Sequence, residues 1–442
     1  MAEINILDFL DFKRAQPVYA GGEKLSESEA IVLDEIRKKN FGVDLVYFNT
    51  DKENKNSFPA VFLKKVDSFN GETLKDIVET QYQTWNYKKV LFLYVYSETE
   101  IRIYSCSEKP PIVTKDNFDY NKELQKLEIK AYNTKTSDKE ELRQLHRLFS
   151  RIAIDTGIVW TLEEAQFVRE KTNLQKRVDK YLVQSLINTS KQLVSTGLEI
   201  DFIHKIILRS LFLLYLEDRG ATDEKLYSLY KEGATSYFDV LDDVDATYQL
   251  YERLEEDFNG NVFTLERDVN SKIVEQISLE QLQIVKSCFI SGSDNVRQAS
   301  LFENWRLFNF NIIQIELLSE IYENFLSETD PTLKKKSGTY YTPPALVEFI
   351  LNEKLPINNG EQDYNIKILD PSCGSGIFLV ESFKRLVKRY ENKHGEKLTD
   401  FEELKRLLTK NIFGIELHPQ AIKVAAFSLY LAFVDCLDPK TL

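Results

Sequence analysis

The stretch KILDPSCGSGIFLVESFKRL, Lys367 to Leu386, constrains the fold more than any other part of the chain. Ile366, Ile368 and Leu369 read as a buried strand, and Asp370 and Pro371 close it. Gly374 and Gly376 tolerate positive φ and let a ligand approach the backbone closely. A three- and four-residue apolar periodicity then starts near Ile377, so a helix begins there with its free N–H groups and positive dipole end aimed at whatever occupies the turn. Strand, small-residue turn and helix in that order specify an α/β arrangement with a ligand-facing loop. The ligand is not a P-loop phosphate, because no Gly-Lys-Ser/Thr ending follows, and the turn is not the full six-position glycine fingerprint of a dinucleotide site.

A second strand, Ile412 to Ile415 of NIFGIELHP, ends on Glu416 before a helix after Pro419. An acidic side chain at the carboxyl end of a neighbouring strand is placed to grip the two hydroxyls of a ribose. Upstream, KKKSGTYYTPPALVEFIL is a loop with two prolines that leads into an amphipathic helix starting near Pro344.

The 442 residues, 43% hydrophobic, exceed one ordinary core and change texture twice. Residues 1–135 carry aromatic and β-branched runs (VDLVYFNTD, FPAVFLKKVDSF, KVLFLYVYS, EIRIYSC) with helical stretches around Glu27–Lys39 and Thr73–Trp85, which predicts a mixed α/β domain. Residues 136–329 turn to long amphipathic stretches such as DFIHKIILRSLFLLYLEDRG and NIIQIELLSEIYENFLSE, which predicts a helical connector. Gly220 and Gly292 read as helix stops and FNGNVF as an Asn-Gly turn. Residues 330–442 alternate helix and strand signals in the manner of a doubly wound sheet.

Composition excludes several classes. No apolar run reaches membrane-spanning length, and MAEINILDFLDFKRAQ lacks the layout of a signal peptide, so the cytoplasm is expected and no membrane partner. Cys106, Cys288, Cys373 and Cys436 lie far apart and the four histidines are scattered, which points to reduced thiols and to neither a disulfide framework nor a zinc site. A net charge of −13 argues against a chain coated in nucleic acid, although a local basic surface such as Lys334–Lys336 can still touch phosphates.

Taken in order, SGTYYTPPALVEFIL, ILDPSCGSGIFLVESF and IFGIELHP resemble the amino-terminal motifs of adenine-N6 DNA methyltransferases. The rest of the chain resembles, more loosely, the type IIG layout of restriction-modification polypeptides, in which a nuclease-like domain and a helical connector precede the start of a Rossmann-like methyltransferase domain. The resemblance implies S-adenosyl-L-methionine as cofactor and double-stranded DNA as partner. It implies that Thr342, Asp370, Pro371, Cys373, Gly374 and Gly376 surround the methionine moiety, with Glu416 on the ribose hydroxyls and Ile415 and Leu417 flanking the adenine ring. Cys373 reads as a small apolar spacer rather than a reactive thiol.

In that family the flipped adenine is held by an Asn-Pro-Pro-Tyr or Asp-Pro-Pro-Tyr tetrapeptide, and neither occurs here. The Pro-Pro pairs present are Pro110–Pro111 and Pro343–Pro344. The expectation is therefore the N-terminal portion of a longer enzyme, inactive in methyl transfer without a C-terminal catalytic and DNA-recognition part. The alternative is a non-catalytic DNA- or cofactor-binding scaffold of a defence system. For the nuclease-like domain, Asp44 and Lys64 match two positions of a metal-dependent restriction nuclease, but Phe62 stands where an acidic residue belongs, with Asp67 as a weak substitute. No metal site is expected, and magnesium enters only if that domain is active.

Overall fold

The structure is a computed structural model that describes residues 5–19, 25–51, 56–111, 118–135, 138–222, 224–258, 263–292, 306–329, 342–357 and 363–437. The chain forms two compact units, Met1–Tyr181 with Phe302–Ile312, and Leu182–Leu301 with Ile313–Leu442.

The first unit is built on a six-stranded sheet: β1 (Gln16–Pro17), β2 (Leu45–Asp51), β3 (Asn56–Lys65), β4 (Phe92–Tyr96), β5 (Glu100–Ser105) and β6 (Glu128–Asn133), in that spatial order. Every pairing is antiparallel except β3 with β4, which are parallel. A parallel pair needs a long crossover, and helix α2 (Gly71–Tyr87) supplies it. Helix α1 (Glu27–Lys38) starts from a capping box in which Ser26 and Glu29 satisfy each other's backbone N–H groups. Two-residue alternation sends Phe62, Leu93 and Val95 to one face, against Leu33 and Ile36 of α1, Ile77 and Val78 of α2 and Leu124 of α3 (Tyr120–Leu127). Val61, Leu63, Phe92 and Tyr94 go to the other, with Leu145, Leu148 and Phe149 of α4 (Lys139–Phe149). The expected mixed α/β character is present.

The chain passes from the first unit to the second within α5 (Val178–Ser195). The second unit contains α6 (Ile200–Asp218), α7 (Val244–Asp257), α8 (Leu279–Ser291), α9 (Glu316–Thr329), α10 (Pro344–Lys354), α11 (Ile377–His394), α12 (Phe401–Asn411) and α13 (Pro419–Val434). Gly220 follows the end of α6 with φ 69°, and Gly292 caps α8 with φ 74°, so both expected stops hold. The FNGNVF turn and the lysine run Lys334–Lys336 lie outside the described residues, apart from Phe258 and Phe263. Helix α6 is buried nearly all round, and its Phe212 stacks on Phe427 of α13 at 3.9 Å. Arg209 on α6 is buried with Glu275 as partner at 2.6 Å, and it also donates to the Thr264 carbonyl, which leaves no uncompensated charge.

Strands β7 (Ile368–Asp370) and β8 (Ile412–Gly414) form a separate two-stranded parallel sheet with Ile368 opposite Ile412, Leu369 opposite Phe413 and Asp370 opposite Gly414. The expectation of a buried strand fails here for a simple reason. Ile412 packs inward and a Cβ on Gly414 would point the same way, but Leu369 and Phe413 share the opposite face, which stays open, and they are 59% and 41% exposed. Among the described residues no helix is long and apolar enough to cross a membrane.

Candidate functional site

The turn expected after β7 is assembled by hydrogen bonds at the carboxyl ends of β7 and β8. The Ile415 N–H donates to the Asp370 carbonyl at 2.9 Å, and the Cys373 N–H donates to the Ile415 carbonyl at 3.0 Å, which stitches the turn after β7 to the end of β8. The Asp370 carboxylate accepts the Ser372 N–H at 3.0 Å and so rounds the corner at Pro371. The Gly376 N–H then donates to the Cys373 carbonyl at 2.8 Å. Gly374 and Gly376 have φ 51° and 92°, the left-handed region anticipated for them. At Gly376 the need is also spatial: a Cβ would stand 2.7 Å from the Ala425 Cβ and 2.9 Å from its Cα, so α11 and α13 approach closely only because this residue is glycine.

Glu416 is the link between the two strand ends. One of its carboxylate oxygens accepts the Gly374 N–H at 2.9 Å and the other accepts the His418 N–H at 2.8 Å. A carboxylate offers about four acceptor positions, so two remain for further donors. His418 acts through its backbone at the start of α13, and its side chain makes no cap there. Helix α11 likewise begins at Gly376 with no side-chain cap, leaving its first-turn N–H groups to water or a ligand.

Cys373 is buried, and burial together with the nearby Asp370 and Glu416 carboxylates pushes its thiol up to about 11. It is a packing group at neutral pH. A Cβ at Gly414 would come within 2.9 Å of the Cys373 sulfur and 2.6 Å of Leu379 Cδ1. Gly414 is thus a site residue that the strand pattern concealed; a glycine inside a strand was the available signal. Ile415 and Leu417, 54% and 96% exposed, flank Glu416 at the open side of the turn. Thr342 lies just before α10, and among the described residues no hydrogen bond joins it to the turn.

Two further residues lay beyond sequence reasoning. Ser319 of α9 donates its hydroxyl to the Ser375 carbonyl at 3.0 Å, across 56 positions. Glu316, one turn earlier, pairs with Lys384 of α11, which is also 3.8 Å from Glu381. Burial alone would raise the Glu316 carboxyl, but the Lys384 ammonium and a hydrogen bond from Glu381 together outweigh it and hold that carboxyl well below its ordinary range. The Glu381 carboxyl is held above its range by burial and then by the charge of Glu316.

In the first unit, Asp44 and Lys64 have separate occupations. Asp44 accepts the Lys65 N–H at 2.7 Å. Lys64 is buried, 2.8 Å from Asp76, and donates to the Gly42 carbonyl. Alternation puts residue 62 on the same face of β3 as Lys64, and there Phe62 packs among Phe41 and Tyr87. Asp67 is exposed beyond the end of β3. Among the described residues no group of three or more His, Cys, Asp or Glu side chains is placed to hold a metal.

The described residues thus bring together a parallel β–α–β corner, a glycine turn, an uncapped helix start and an acidic residue on the next strand end. Residues 313–438 match the family model described as N-6 DNA Methylase. The chain is 32% identical over 127 residues to the adenine-specific methyltransferase PglX of Streptomyces coelicolor, covering 28% of this chain and 10% of that protein. It is 23% identical over 386 residues to the type II restriction enzyme and methyltransferase RM.Eco57I of Escherichia coli, covering 76% and 36%. A putative type II restriction enzyme and methyltransferase of Methanocaldococcus jannaschii, RM.MjaORFECS2P, is 20% identical over 379 residues, covering 72% and 31%. The chain thus spans about a third or less of the length of these relatives. Among solved structures, the type IIG restriction endonuclease BpuSI aligns at 13% identity over 90% of this chain and 37% of its own, with a TM-score of 0.27.

Proposed function

We propose that this chain is the S-adenosyl-L-methionine-binding part of a DNA adenine-N6 methyltransferase acting in restriction-modification on double-stranded DNA. The observation that carries the reading is the tie between Glu416 and the Gly374 N–H at 2.9 Å, within a segment of the N-6 DNA methylase family. The donor set fits the cofactor. Asp370 and Glu416 oppose a ligand carrying an ammonium and a sulfonium, and the uncapped start of α11 suits a carboxylate. Two open acceptor positions on Glu416 suit the ribose hydroxyls. Asp370, Pro371, Cys373, Gly374 and Gly376 would hold the methionine moiety, with Thr342 approaching from the α10 side. The cofactor supplies an electrophilic methyl group; the chain's own residues bind and orient it.

Transfer also requires the adenine nitrogen to be held in line with that methyl group. No Asn-Pro-Pro-Tyr or Asp-Pro-Pro-Tyr occurs among the 442 residues, so in this reading the base-holding group would be supplied by other residues. The same absence favours a second reading, a scaffold that binds cofactor or DNA without chemistry. Calorimetry with S-adenosyl-L-methionine tests the common ground: the wild-type chain binds, and Glu416→Ala lowers affinity at least tenfold, since a charged hydrogen-bond partner is worth about that factor or more. Absence of binding removes the assignment. Tritium labelling of duplex DNA separates the two readings: label that appears only when residues of a full-length relative carrying the tetrapeptide are supplied supports the methyltransferase.

A further inference from the structure

We infer that Ser319 is a positioning residue for the cofactor turn, acting through the peptide between Ser375 and Gly376. This deepens the proposed function and rests on it for the identity of the ligand. The peptide in question leads into Gly376, the N-cap of α11. Its carbonyl accepts the Ser319 hydroxyl at 3.0 Å, and its N–H donates to the Cys373 carbonyl at 2.8 Å. A planar amide held at both ends has its rotation specified, and that rotation sets ψ of Ser375 and φ of Gly376. Gly376 sits at φ 92°, where a glycine has little intrinsic preference between neighbouring conformations, so the orientation must be imposed from outside. Ser319 imposes it. Ser319 and Ser375 are 1% and 4% exposed, so water cannot take over the bond.

Glu316 stands one turn before Ser319 on the same face of α9, and it holds Lys384 on α11. The helix thus makes an ion pair with the flank of α11 and, through Ser319, a hydrogen bond directed at the turn before it. The first holds the helices together; the second shapes the ligand-facing backbone. The distinction makes the inference testable, because Glu316→Gln should loosen the helix pair without altering the turn.

The test compares Ser319→Ala, Ser319→Thr and Glu316→Gln in the full 442-residue chain by calorimetry with S-adenosyl-L-methionine and by amide hydrogen exchange in cofactor-free protein. Ser319→Ala should weaken binding about five- to tenfold, the worth of one lost buried hydrogen bond, and should speed exchange at residues 374–377. Ser319→Thr, which keeps a hydroxyl, should restore both to within about twofold, and Glu316→Gln should lower the melting temperature while leaving affinity within about twofold. Unchanged exchange at the turn in Ser319→Ala overturns the inference, as does an affinity loss in Glu316→Gln equal to that in Ser319→Ala. If the wild-type chain fails to bind the cofactor, the functional reading fails, while the exchange arm still decides whether Ser319 positions the turn.

Discussion

Replacing Gly376 by alanine tests the geometry of the site at its tightest point. The added Cβ meets two penalties that can be separated. Holding a residue other than glycine at φ 92° costs about 1–2 kcal/mol. Forcing a methyl group to within 2.7 Å of the Ala425 Cβ and 2.9 Å of its Cα adds about 1–3 kcal/mol of overpacking, because the obstacle includes helix backbone that cannot rotate away. The sum, about 2–5 kcal/mol, corresponds to a fall in melting temperature of roughly 4–20 °C for a unit of this size. Gly414→Ala is the control. Its Cβ would stand 2.6 Å from Leu379 Cδ1, the far end of a flexible side chain, so the cost should be smaller even though the approach is closer. Ala425→Gly alone costs about 1 kcal/mol in a helix, but combined with Gly376→Ala it removes the nearest clash. The double variant should therefore be more stable than the sum of the single effects predicts. Thermal unfolding of the four proteins measures this coupling. A loss below about 1 kcal/mol for Gly376→Ala, or strict additivity with Ala425→Gly, would refute the claim that this glycine permits the contact of α11 with α13.

Two other outcomes follow from groups described above. The raised Glu381 carboxyl binds its proton more tightly in the folded state, so its contribution to stability is complete below the ordinary carboxylate range and is lost as pH rises through the raised value. Glu381→Gln should accordingly gain on the wild type between pH 5 and pH 9, by roughly 2–4 °C in melting temperature, and a gap that stays constant across that range would contradict it. Magnesium-dependent cutting of duplex DNA is expected to be absent, because Phe62 lies in an aromatic cluster where a metal-binding carboxylate would be required. Nicking that disappears in Asp44→Ala would show that another carboxylate completes a nuclease site.

The local features of this chain were legible because local chemistry determines them. Ser26 and Glu29 announce the start of α1, Pro344 and Pro419 announce α10 and α13, and two glycines announce the turn after β7. Strand β6 was harder to read: EIKAYN pairs along one side only, and its charged residues dilute the alternation that marks a central strand. The aliphatic run at Leu369 does not reveal its exposure, because a strand buried on one face and one buried on both begin with the same letters, and only the layers that cover each face decide. Ser319 and Ser375 were invisible for a different reason. Nothing in either serine's neighbourhood marks a bond that spans 56 positions.

The tie from Glu416 to Gly374 has a consequence for how such a site tolerates change. The side chain read here as the grip on a ribose is also the clamp that joins the turn to the neighbouring strand end. The two roles share one genetic locus, so they are inherited and lost together. A substitution that spares the clamp but abandons the grip must keep an acceptor at the same point in space, and a shorter carboxylate falls short of it.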